Sequence, residues 1–177
     1  MKMMKSLLAL GIVTLGASAA YAATQGTLGA TSTGTADITL TISEQYRISS
    51  LQDYTFGIYS GTGDLTSNDD VCVYHNGDGL YTVTATGSGA ANAFTVTNGS
   101  NTIAYSVAFN DQTGVVGQTA LTTGNASATQ SGANVTSSDC SSGGLSANLQ
   151  VQLLEAALQA APSGAYTGTL SVTVQTN

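Results

Sequence analysis

Apolar and polar residues alternate with a period of two along much of this chain. In residues 36–42, Ala36, Ile38, Leu40 and Ile42 take every second place, with Asp37, Thr39 and Thr41 between them. Successive side chains of a strand point to opposite faces, so the pattern predicts a strand with one apolar face. The same alternation predicts strands over 71–74, 80–85, 93–96 and 102–109. It also predicts a closing strand over 166–175 in which Tyr166, Leu170, Val172 and Val174 share a face. Turn formers separate these runs, among them Asn76-Gly77-Asp78-Gly79, Gly87-Ser88-Gly89 and Asn98-Gly99-Ser100-Asn101. Asn-Gly supplies the positive φ of tight hairpins, which predicts consecutive antiparallel strands. The fold class is all-β, a sandwich or barrel.

Two stretches depart from the alternation. Residues 111–144 are mostly Gly, Ser, Thr, Ala, Asn and Gln, and are expected as a long surface loop or as short edge strands such as 118–122. After Leu149, Val151 and Leu153 alternate, residues 154–158 have local helix propensity, which Pro162 ends.

The N-terminus changes the count. Lys2 and Lys5 precede the apolar run 7–15, and small residues follow as far as Ala20-Tyr21-Ala22. This is the arrangement of a secretory signal peptide over residues 1–22, and the run is shorter than the ~20 residues a bilayer-spanning helix needs. The expected mature chain begins at residue 23 and is exported. It keeps Arg47 as its one basic Lys or Arg against ten Asp and Glu, a net charge of −9. So acidic a chain lacks the cations that nucleic acid demands, and 7% charged residues is too few for the solvent faces of a helical bundle. No later segment is apolar enough to span a membrane, and one domain is expected over 43–177.

Candidate chemistry is sparse. Cys72 and Cys140 both survive processing, and an exported chain can pair them; a disulfide is predicted over two free thiols or a metal site. His75, the single histidine, stands beside Asn76-Gly77 and is expected as an exposed turn residue. No nucleophile motif accompanies it, so the chain is not expected to be an enzyme. Asp64, Asp69, Asp70 and Asp78 form the densest acidic group, but they do not follow the spacing of a calcium loop, and a solvated surface is expected. No metal or cofactor is expected.

Several landmarks together resemble a known family. The ending from Ala161-Pro162 through Tyr166 to Val174, the Ile103-Ala104-Tyr105-Ser106-Val107 run, Phe56-Gly57 and Val71-Cys72-Val73 occur in the order found in chaperone–usher pilus subunits. The likeness is to the archaic branch, whose subunits share the spore coat protein U domain, and it spans nearly all of the mature chain. The sequence departs from the family at residues 43–48, where the usual first cysteine is missing, so that Cys72 would pair with Cys140 instead.

The resemblance implies an immunoglobulin-like β-sandwich lacking one strand, whose groove is filled by a periplasmic chaperone and then by the N-terminal extension of the next subunit. It implies further a place in a surface fibre built through an outer-membrane usher, with adhesion or biofilm formation as its use, and neighbouring subunits, chaperone and usher as partners. Residues 23–42 would be the donor segment, with Ala36, Ile38, Leu40 and Ile42 inserted and Leu28 as an earlier contact. The alternative for 36–42 is the first strand of the chain's own domain. Tyr166, Leu170, Val172 and Val174 would line the groove or face the chaperone, against ordinary core positions. The competing functions are a secreted adhesin or carbohydrate-binding module, a spore-coat-like surface protein, and a secreted enzyme.

Overall fold

The computed structural model describes residues 22–176, and the expected export segment, all but Ala22, lies outside the described residues. The chain divides into two units, Met1–Ile42 and Ser43–Asn177. In the first, Thr24 and Thr35 form an antiparallel bridge with N···O distances of 2.9 and 3.0 Å. Residues 36–42 belong to no strand, although their alternation predicts one, and their side chains are exposed.

The second unit is an all-β sandwich of antiparallel sheets. Its strands are β1 (Tyr46–Ser49), β2 (Leu65–His75), β3 (Thr82–Gly87), β4 (Thr95–Asn98), β5 (Asn101–Ala104), β6 (Ser106–Asn110), β7 (Thr119–Ala120), β8 (Ala147–Leu153) and β9 (Leu170–Gln175). One sheet has the order β1-β2-β8-β6-β7, and β3-β9 and β4-β5 form two further pairs. Of the expected hairpins, Asn98-Gly99 makes one: it joins β4 to β5, with Gly99 at φ 59°. Asn76-Gly77 does not. It carries the chain between sheets, since β2 pairs with β1 and β8 while β3 pairs with β9. Turn chemistry fixes a local reversal of the backbone, not which edges meet afterwards.

The expected 102–109 strand is two strands, β5 and β6, broken at Tyr105, where the chain passes from one sheet to another. β2 extends the 71–74 expectation back to Leu65 through Asn68, Asp69 and Asp70, residues of poor strand propensity held by pairing with β8. The short helix α1 (Glu155–Ala160) follows β8, and its first amide donates to Asp64 Oδ1 at 2.8 Å. The core forms where alternating faces meet: Val71 and Val73 of β2, Val107 and Phe109 of β6, and Ala147 and Leu149 of β8 pack on Tyr81, Val83 and Ala85.

Residues 111–146 suture the sandwich rather than hang from it. Ser127 and Gln130 donate backbone hydrogen bonds to Val83 and Tyr81, and Asn134 donates to Val73 while accepting from His75. The predicted disulfide joins buried Cys72 in β2 to Cys140, with Cα atoms 5.8 Å apart, and ties this polar stretch to the core. Asn134 saturates its side chain inside the stretch, donating to Ser142 O and Gly144 O and accepting from the amides of Thr136 and Ser137. A segment without its own apolar face is thus held by backbone pairing, side-chain amides and one covalent bond.

His75 corrects the expectation of an exposed turn residue. It closes β2, is 2% exposed, and stacks on Tyr46 at a ring separation of 4.3 Å. Its position opposite Tyr46 in the β1–β2 ladder places the ring under a neighbouring strand, which the adjacent Asn-Gly sequence does not reveal.

Candidate functional site

An apolar groove of about 1140 Å³ runs along the second unit. Its floor is the end of the core where Ile103, Val151 and Leu153 form a second cluster, and Val96, Ile103, Leu149 and Leu153 line it. One wall is the stretch 51–59, presenting Leu51, Tyr54, Phe56 and Ile58; the other is β9 with the approach to it, presenting Tyr166, Leu170 and Val172. Leu158 and Ala161, at the end of α1, line it too.

The two walls share a feature. β9 pairs with β3 alone among the described residues, so its far edge carries unpaired backbone groups. In the stretch 51–59, no backbone group bonds to another backbone group among the described residues; Gln52 N donates instead to Asp69 Oδ2 at 2.8 Å. Chain leaves β1 at Ser50, whose φ of 64° turns it out of the ladder. Two stretches with backbone groups left unpaired thus flank the apolar trough.

Side chains fix the walls. The Tyr54 hydroxyl donates to Leu149 O at 3.0 Å, which fastens the first wall to β8 in the floor. Burial, with a smaller contribution from the Asp69 carboxylate, pushes the Tyr54 hydroxyl above its ordinary range, so it stays a donor. On the other wall the Tyr166 hydroxyl donates to Pro162 O at 2.9 Å, and the bridge between Thr97 and Thr167 holds the approach to β9.

The structure places the residues singled out from sequence as follows. Tyr166, Leu170 and Val172 line the groove, half-buried; Val174 shares their face but packs on the first core cluster. Ala36, Ile38, Leu40 and Ile42 lie in the first unit, with Ile38 95% and Leu40 82% exposed. The acidic group is dispersed into separate tasks. Asp64 caps α1, Asp69 holds the groove wall, Asp70 accepts from Gly114 N and Asn148 Nδ2, and Asp78 accepts from Leu80 N. Sequence reasoning missed the 51–59 wall apart from the Phe56 landmark, although Tyr54, Phe56 and Ile58 alternate with Thr55 and Gly57.

No protein-family model and no curated protein matches this chain. Among solved structures it is similar to a chain of the CsuC–CsuE chaperone–tip adhesion subunit pre-assembly complex from the archaic chaperone–usher Csu pili of Acinetobacter baumannii. The identity is 17% and the TM-score 0.44; the match covers 76% of this chain and 40% of that one. No helix among the described residues is long and apolar enough to cross a membrane.

Proposed function

We propose that the chain is an exported structural subunit of a bacterial surface fibre, in which the groove of one copy receives the N-terminal segment of another as an added strand. A single observation carries this reading: an apolar trough bounded by two unpaired backbone edges occurs in a chain that also carries an unpartnered alternating apolar segment. The dimensions agree. Residues 36–42, extended at about 3.3 Å per residue, span roughly 20 Å, close to the length of the six-residue β9. With Ala36, Ile38, Leu40 and Ile42 turned into the trough, Asp37, Thr39 and Thr41 face outward, so no charge is buried. Main-chain hydrogen bonds to β9 would supply much of the affinity, and alternate side chains the register.

A chaperone occupies the groove before assembly in this reading, and an outer-membrane usher exports the subunit; the 1–22 segment directs it to the periplasm. Two complementary variants of the full chain test the strand exchange. Ile38→Asp should accept but not donate, and Val172→Asp should donate but not accept. Each alone should stay unpolymerised, and the mixture should stop at a 1:1 heterodimer by light scattering. Polymerisation of either variant at the wild-type rate overturns the reading.

A further inference from the structure

Charge is distributed unevenly around the groove. Four of the chain's ten acidic residues border its first wall, the stretch 51–59. Asp53 lies in the wall, and its exposed carboxylate takes no hydrogen bond among the described residues. Asp69 Oδ2 accepts the amide of Gln52, one residue before it, at 2.8 Å. Asp64 and Glu155 stand at the far end of the wall, beside Tyr59. Burial, and after it the Glu155 and Asp64 carboxylates, push the Tyr59 hydroxyl above its ordinary range.

Nothing nearby cancels these charges. The donors on Asp64 are Gln152 Nε2 and Glu155 N, and the donor on Glu155 is Gln159 Nε2. Amides satisfy a carboxylate's hydrogen bonding without supplying positive charge. The opposite wall, 161–172, and the whole of β9 contain no Asp, Glu, Lys, Arg or His. Arg47, the one Lys or Arg among the described residues, sits in β1 opposite Tyr74 and does not line the groove.

An added strand turns every second side chain away from the trough. In 36–42 those are Asp37, Thr39 and Thr41, so the segment brings one negative charge and no positive one. Carboxylates stand at both ends of the first wall, so Asp37 approaches like charge whichever way the strand runs. Like charges across an interface disfavour a partner and opposite charges favour it. The Debye length falls from about 30 Å at 0.01 M salt to about 10 Å at 0.1 M, so such a preference is large in dilute buffer and screened in concentrated salt.

We infer that the groove selects its occupant by charge: an extended strand with apolar side chains inward and a Lys or Arg among its outward positions binds in preference to this chain's own 36–42. The partner that fits is a cationic strand of another protein, and a second copy of this chain is the weaker competitor. The place of binding rests on the donated-strand reading; the charge preference is a separate property with a separate readout.

The experiment measures binding of two synthetic peptides, residues 34–43 and the same peptide with Asp37→Lys, to the full chain carrying Ile38→Asp, which accepts but does not donate. In about 20 mM NaCl the Asp37→Lys peptide should bind about fivefold more tightly, and in about 500 mM NaCl the gap should close to less than about twofold. Adding Asp53→Asn to the acceptor should narrow the low-salt gap, whereas Asp139→Asn, a neutralised carboxylate that does not line the groove, should leave it unchanged. Equal binding in dilute salt overturns the selection and leaves the donated strand standing, as does a preference that persists in concentrated salt. So does equal narrowing by Asp53→Asn and Asp139→Asn, or binding of the Asp37→Lys peptide to the non-accepting Val172→Asp chain, since either assigns the attraction to the surface at large. Binding of neither peptide to the Ile38→Asp chain sinks the donated-strand reading, and the selection with it.

Discussion

Residues 36–42 and β9 carry nearly the same pattern and meet opposite fates. Both alternate apolar side chains with Thr, Ser or Asp. β9 lays Leu170, Val172 and Val174 on the core and pairs one edge with β3, so those side chains are half-buried. In the first unit Ile38 and Leu40 face solvent and pair with nothing in a strand. The difference teaches that alternation specifies a surface fit to be covered, whereas coverage depends on whether a sheet edge is within reach. β9 is itself an intermediate case, paired on one side and open on the other.

Substitutions can break or sharpen that contrast, and they rank by how fully each side chain is enclosed within its own chain. Leu149→Ala, in a fully buried position on the groove floor, should destabilise the sandwich by about 2–5 kcal/mol in denaturant unfolding. Replacing Cys72 and Cys140 together by Ser should cost a similar or smaller amount, typically about 2–5 kcal/mol, and should free 111–146 to proteases before the strands unfold. Val172→Ala removes half-buried methyl groups and should cost about 1 kcal/mol. Ile38→Asp should change unfolding of the isolated chain by less than about 0.5 kcal/mol, because the side chain leaves one solvated environment for another. A loss at Ile38 comparable to that at Leu149 would erase the distinction between the two segments.

Much of the architecture is legible in the residues. Val83, Val96, Ile103, Val107, Leu149 and Val172 reach the faces that their parity assigns, and Cys72 and Cys140, the two cysteines of the sequence, pair as predicted. Other features are not. Leu65 to Asp70 make a strand because β8 lies alongside, and residues 126–134 stitch β3 to β2 through backbone atoms that have no sequence signature. The groove was legible by half: β9 carries a pattern, but the opposite wall is read only when Tyr54 is seen bonded to Leu149 across 95 positions of chain.

By itself the sequence determined the all-β class, the apolar face of each regular strand and the disulfide, because period-two alternation and cysteine number act locally or by count. Tertiary structure alone decided which edges pair, that Asn76-Gly77 crosses between sheets, that His75 is enclosed, and that an apolar trough stays open between β9 and residues 51–59. Those outcomes depend on contacts between residues far apart in the chain, where the same turn or strand pattern is compatible with several partners and packing selects one.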